Sequence, residues 1–212
     1  MADLARGHSV ELAGLRTRQG FAPVASLPKL EDVVVVTGLP RSGTSLLMSM
    51  LGAGGLPLVV DRQRPADAHN PKGYFENSAV LKLESDTSWL GECQGQAIKI
   101  LYRQLPLVPP TLPAKILVTL RDVQEVVASQ KAMLANEQDD DWDWEDLFAK
   151  ELARFRGWLV RQNWPVLEVA HSRMLGHPQA VALEIADFLG QPLDLAAMQE
   201  VVDPTLYRAR KC

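Results

Sequence analysis

The chain has 212 residues, with 22 Lys and Arg against 26 Asp and Glu, which gives a formal net charge of −4. Its length predicts a single domain, at 32–212, and the lack of strong periodicity at 1–31 predicts an N-terminal arm there. The ordinary composition excludes disordered, collagen-like and coiled-coil proteins, and the negative charge argues against a nucleic-acid partner. Cys93 and Cys212 cannot build a disulfide framework or a four-thiolate metal site.

The longest apolar run, at 33–36, is far shorter than the roughly 20 residues that cross a bilayer. The N-terminal segment has charges every few residues and no apolar stretch of signal-peptide length. We therefore expect a cytoplasmic protein with no membrane partner. No pattern in the sequence specifies an oligomeric state.

Short runs rich in Val, Ile and Leu alternate with helical patterns along the chain. The runs are continuously apolar, which is typical of parallel strands that are buried on both faces. Five strands are predicted, at 33–37, 56–60, 97–101, 115–120 and 165–169. Helices are predicted at 44–51, 77–90, 123–135, 145–160 and 179–189, with Gly190 ending the last of them. This order predicts an α/β fold: a doubly wound, mostly parallel sheet of about five strands with helices on both faces, which binds ligands beyond the carboxyl ends of its strands.

The loop after the first strand carries the strongest chemical signal. Gly38 and Gly43 lie five residues apart between a buried strand and a helix, and the loop has the pattern of a phosphate-binding loop in which Thr44 replaces the usual Lys. Backbone N–H groups and the helix dipole form an anion cradle at such a place. The candidate anion-binding residues are Pro40, Arg41, Ser42, Gly43, Thr44 and Ser45.

The missing Lys has a mechanistic meaning. Nucleoside triphosphatases use that Lys to reach the β- and γ-phosphates, whereas here Arg41 supplies the positive charge. The loop therefore favours a less charged anion that is bound without a metal. A tight strand-to-helix turn that binds nothing is the alternative.

The sequence PRSGTSLL after a strand resembles the 5′-phosphosulfate-binding loop of the sulfotransferases that use 3′-phosphoadenosine 5′-phosphosulfate (PAPS). Arg121 follows the predicted strand at 115–120, and Ser129 lies eight residues later; the pair resembles that family's clamp for the 3′-phosphate. The segment NPKGYFE at 70–76 also resembles bacterial-type members. The resemblance implies a P-loop sulfotransferase fold over about 33–210, with PAPS as sulfuryl donor and adenosine 3′,5′-bisphosphate (PAP) as product.

Three positions depart from the best-known cytosolic sulfotransferases. Leu46 stands where those members have a Trp that stacks on adenine, and His171 stands where they have a Tyr. Arg41 stands where they have a Lys, which makes the loop more similar to the tyrosylprotein branch of the family.

Sulfuryl transfer needs cations where negative charge develops and a base that takes the proton of the acceptor. Arg41 and Lys99 are the candidate cations; a Lys inside a buried strand is costly unless it meets an anion, and a snorkelling side chain at the sheet edge is the alternative. Glu76 is the first candidate base, against a carboxylate that only favours a helix start. His69 is the second, against a solvated loop residue.

The basic C-terminal segment adds Arg208 and Arg210, which resemble the basic loop that covers the 3′-phosphate in the family; a solvated terminus is the alternative. No His or Cys cluster has metal-ligand spacing, so no metal is expected. We expect sulfuryl transfer from PAPS to a hydroxyl or amine of a small-molecule, glycan or peptide acceptor. A P-loop nucleotide kinase or NTPase and a non-catalytic PAP-binding homologue remain as alternatives.

Overall fold

The structure is a computed structural model that describes residues 30–61, 63–67, 70–134 and 143–206. Most of the predicted arm and the candidates His69, Arg208 and Arg210 lie outside the described residues. Within the described ranges, no helix combines the length and the apolar character that a membrane crossing requires.

Four parallel strands form one sheet in the order β2-β1-β3-β4. Their bounds are β1 Val33–Gly38, β2 Ala97–Lys99, β3 Ala114–Leu120 and β4 Val166–Ala170. All six residues of β1 are buried, because β1 is a central strand and both of its faces are covered. The four carboxyl ends meet at one edge of the sheet, where the phosphate-type loop follows β1.

Helices cover both faces of this sheet, with bounds α1 Thr44–Ala53, α2 Val123–Leu134, α3 Trp144–Leu159, α4 His171–Gly176, α5 Pro178–Leu189 and α6 Leu195–Glu200. Val33 and Val35 of β1 belong to a core with α2 and α3. Val34 and Val36 belong to a second core with the other four helices. The predicted α/β class and doubly wound parallel sheet are confirmed, and Gly190 ends α5 with a left-handed φ of 67°.

The strand predicted at 56–60 is wrong. Leu58 makes a single isolated parallel bridge to Ala97 at the edge of the sheet. The carbonyl of Pro57 accepts from the Ala97 N–H at 2.8 Å, and the Val59 N–H donates to the Ala97 carbonyl at 2.8 Å. Because Pro57 has no N–H, it cannot extend the ladder. Over the residues that the structure describes, the sheet therefore has four strands rather than about five.

The helix predicted at 77–90 is also wrong, since the chain forms two 3₁₀ turns, Ser78–Lys82 and Ser88–Cys93. Polar side chains accept hydrogen bonds from backbone N–H groups at the start of each turn. Asn77 Oδ1 accepts from the Ala79 N–H at 2.9 Å, and Asp86 Oδ1 accepts from the Ser88 N–H at 2.9 Å. Short polar side chains that bond locally in this way compete with a continuous α-helix.

Candidate active site

A cavity of about 610 Å³ opens at the carboxyl ends of the strands. Residues from all four strand ends line it: the phosphate-type loop after β1, Lys99 of β2, Arg121 after β3 and His171 after β4. Ligands of open α/β sheets bind at this edge, and the volume is in the range of small-molecule sites. Among the described residues, no group of three or more His, Cys, Asp or Glu side chains is arranged to hold a metal ion.

The loop after β1 is held in a conformation that two glycines permit. Gly43 has φ +104°, and a Cβ there would lie 2.7 Å from Cδ2 of His171. Gly38 has φ +150°, and a Cβ there would lie 2.4 Å from Oγ1 of Thr119. No described side chain caps the N-terminus of α1, so the first N–H groups of the helix remain available to an anion.

Arg41 is the most constrained residue of this loop, because it is not a glycine and yet has φ +67°. Its Nε donates to Oγ of Ser129 at 3.0 Å, and its carbonyl accepts from Nη1 of Arg121 at 3.0 Å. Nε of Arg121 also pairs with Oε2 of Glu125 at 3.1 Å. The structure therefore brings Arg41, Arg121 and Ser129 together at one wall of the cavity.

The other predicted loop residues divide between the cavity and the core. Pro40, Gly43, Thr44 and Ser45 line the cavity. The Ser42 hydroxyl instead donates to the Leu39 carbonyl and shares a 2.6 Å hydrogen bond with Thr119. With 1% of its surface exposed, the side chain of Ser42 fastens the loop to β3 rather than facing the cavity.

Lys99 and Glu76, which also line the cavity, form an ion pair with Nζ 3.1 Å from Oε1. Nζ of Lys99 also donates to the Tyr74 carbonyl at 3.1 Å. The Lys99 side chain is 5% exposed, which is not a snorkelling geometry. Burial lowers the pKa of Lys99, while the Glu76 carboxylate opposes that shift. Glu76 follows Phe75, whose φ of +53° is left-handed.

The segment around Tyr74 is tied to the loop. Oγ of Ser45 donates to the Tyr74 carbonyl at 3.3 Å and accepts from Nδ2 of Asn70 at 3.0 Å. The Tyr74 hydroxyl donates to Oδ2 of Asp67 at 2.7 Å. Burial and the hydrogen bond to Asp67 raise the pKa of the Tyr74 phenol.

Arg64 is a site residue that the sequence reasoning missed. Its guanidinium carbon lies 3.4 Å from the centre of the Tyr74 ring, and its Nη1 lies 3.4 Å from Oε2 of Glu76. No motif marks Arg64 in the sequence, because its role depends on how the loop folds over Tyr74.

His171 begins α4 and is 8% exposed. Burial, reinforced by the nearby Arg121 charge, lowers the pKa of His171 from 6.5 to about 4. The imidazole is therefore neutral at pH 7 and packs against the Cα side of Gly43.

Comparison with known proteins found no matching family profile and no matching curated sequence. Solved structures do match. The sulfotransferase domain of the Synechococcus PCC 7002 olefin synthase has a TM-score of 0.52 and 16% identity over 88% of this chain and 91% of its own. Mouse sulfotransferase SULT7A1, complexed with PAP, has a TM-score of 0.55 and 15% identity, over 85% of this chain and 67% of its own. Sulfotransferase STF1 of Mycobacterium tuberculosis H37Rv has a TM-score of 0.50 and 15% identity, over 84% of this chain and 73% of its own. The chain therefore has the sulfotransferase fold.

Proposed function

We propose that the protein transfers a sulfuryl group from PAPS to a hydroxyl or amine of an acceptor. The observation that carries this proposal is the convergence of three elements in one cavity: an uncapped loop at the start of α1, the Arg121 and Ser129 wall, and the buried Lys99. The likeness in fold to sulfotransferases, one of them complexed with PAP, supports it.

The residues present fit the donor. Glycine geometry at Gly43 leaves room for backbone to approach an anion, so the loop N–H groups and Arg41 would hold the 5′ end. Arg121 and Ser129 would hold the 3′-phosphate. Because Arg121 lies 3.1 Å from Glu125 in the structure, binding a phosphate there requires Arg121 to share or exchange that contact.

The bound donor supplies a sulfur–oxygen bond that is activated for transfer. Lys99 and the loop N–H groups stabilise the negative charge that develops on the bridging oxygen as its bond to sulfur breaks. The acceptor oxygen or nitrogen forms the new bond to sulfur, PAP keeps the electron pair of the broken bond, and Glu76 takes the proton of the acceptor. The 3.1 Å contact between Glu76 and Lys99 supports this proposal, because it would put the proton acceptor beside the group that stabilises the developing charge.

The experiment that tests this proposal compares the melting temperature of the protein with PAP and with ATP, each with and without Mg²⁺. We expect PAP to raise the melting temperature without Mg²⁺ and by more than ATP does, because Thr44 stands where a triphosphate-binding Lys would be. Equal or greater stabilisation by Mg²⁺ and ATP would favour a kinase. Stabilisation by PAP without turnover of labelled PAPS on any acceptor would favour a non-catalytic homologue.

A further inference from the structure

Arg64 lines the cavity with its guanidinium stacked on the ring of Tyr74. The guanidinium lies 3.4 Å above the Tyr74 ring, and Tyr74 itself is 5% exposed and fixed by its hydrogen bond to Asp67. Stacking and the contact with Glu76 orient the plane of the group. An oriented guanidinium loses less conformational freedom when it binds a ligand.

Most of the hydrogen-bonding capacity of Arg64 is unused within the described residues. Its Nη1 approaches both oxygens of Glu76, at 3.5 and 3.4 Å, whereas Nε and Nη2 have no hydrogen-bond partner among the described residues. The side chain is 48% exposed. A guanidinium that offers two neighbouring N–H donors matches the geometry of a carboxylate, sulfate or phosphate group.

Arg64 contacts Glu76, the proposed base that takes the proton of the acceptor. Nζ of Lys99 and Nη1 of Arg64 both contact Oε1 of Glu76, so Arg64 lies directly beyond the proposed base. Among the described residues, five cationic side chains and two carboxylates line the cavity: Arg41, Arg64, Lys72, Lys99 and Arg121, with Glu76 and Asp203.

The proposed donor contacts account for three of these cations, Arg41, Lys99 and Arg121. The Lys72 ammonium donates to the Val201 carbonyl. Hydrogen bonds from the hydroxyl and N–H of Thr205 lower the pKa of Asp203, and the Lys72 charge adds to that shift. Arg64 is the remaining cation of this lining, and it contacts Glu76, the proposed base for the acceptor.

We propose that the acceptor is itself acidic: it carries an oxyanion a few bonds from the nucleophilic hydroxyl or amine, and Arg64 binds that oxyanion. This inference rests on the proposed sulfuryl transfer. The short separation follows because Arg64 and Lys99 share Glu76 as a neighbour. Acceptors such as hydroxy acids, acidic sugars and phosphorylated or sulfated alcohols share this chemistry.

The test measures binding to PAP-saturated protein by calorimetry, using pairs with and without an anionic group: glucuronate with glucuronamide, 3-hydroxybenzoate with 3-hydroxybenzamide, and glucose 6-phosphate and glucose 6-sulfate with glucose. Initial rates with labelled PAPS are measured on the same pairs. We expect at least one acid to bind about tenfold more tightly than its neutral partner. The phosphate, sulfate and carboxylate members distinguish the source of the oxyanion.

Arg64→Met keeps an apolar stem over Tyr74 and removes the charge, so it should abolish the preference for the acid. Arg64→Lys keeps the charge without the paired donors, so it should retain part of the preference for the acid. Arg154→Met is the matched control, because Arg154 is 79% exposed and pairs with Glu151 on the surface; the preference should survive there. If Arg64→Met does not fold, Arg64→Lys alone tests whether the preference for the acid depends on Arg64, because the preference should then be reduced.

Two results would overturn the inference. One is the absence of any preference for the acid in every pair with PAP-saturated protein. The other is a preference that persists in both Arg64 variants. Failure of PAP to bind at the outset would instead refute the proposed function, so the two failures are distinguishable.

Discussion

Gly43 lies where backbone conformation and packing both exclude a side chain, and Gly43→Ala measures the two effects together. The residue has φ +104°, and an added Cβ would lie 2.7 Å from Cδ2 of His171 and 3.1 Å from Cε of Met174. Neither neighbour can move easily, because His171 is 8% and Met174 is 0% exposed. The variant should therefore destabilise the native state and distort the loop that follows β1.

The expected magnitude follows from the two costs. A non-glycine residue in this region of φ costs about 1–3 kcal/mol, and forcing an extra methyl into a packed site costs about another 1–3 kcal/mol. Gly55 provides the matched control, because it has φ +94° and nothing within 4 Å of its added Cβ. Gly55→Ala should show the backbone cost alone.

Urea denaturation of both variants gives the free energies of unfolding. Gly43→Ala should lose about 2–6 kcal/mol, clearly more than Gly55→Ala, and PAP should bind it more weakly. In a double-mutant cycle, His171→Ala should partly rescue Gly43→Ala. Equal losses for the two glycine variants, or no coupling to His171, would refute the packing argument.

Three further predictions concern charge at the site. Arg121→Ala should weaken PAP binding, measured by calorimetry, by about 1.5–3 kcal/mol; an unchanged affinity would eliminate Arg121 from the 3′-phosphate contact. Glu76→Gln should lower turnover of labelled PAPS about 100-fold or more with PAP affinity near that of wild type, and surviving turnover would place the base elsewhere. Because native His171 has a pKa of about 4 against 6.5 unfolded, the unfolded chain binds more protons between these values. The free energy of unfolding should fall by about 2–3 kcal/mol as pH drops through this window, and His171→Gln should remove that slope; an identical slope in the variant would contradict it.

The sequence predicts the centre of the fold well because that part is encoded locally. The apolar run that becomes β1 needs no partner to be identified, and the Gly38 and Gly43 spacing marks the turn into α1. The predictions at 56–60 and 77–90 were wrong because Pro57 and short polar side chains outweighed the apolar pattern. The helices α4 and α6, at six residues each, are too short to show a period.

Whether a predicted site residue lines the cavity depends on the tertiary structure. Arg121, Ser129, Lys99 and Glu76 line it, since strand ends and the segments after them meet at one sheet edge. The pairing of Glu76 with Lys99 spans 23 residues, and no local pattern indicates it. No local pattern indicates Arg64 either, because its orientation comes from the Tyr74 ring and not from its neighbours in sequence.

The backbone carbonyl of Tyr74 links the loop after β1 to the ion pair of Lys99 and Glu76. The Tyr74 oxygen accepts from both Ser45 and Lys99, so a nucleotide that draws the Ser45 hydroxyl toward itself leaves this oxygen more fully to the ammonium group. Occupancy of the loop would thereby alter the contacts of Lys99, and through its ion pair those of Glu76, before any acceptor arrives. Steady-state kinetics should accordingly show a compulsory order, with the nucleotide entering first and leaving last.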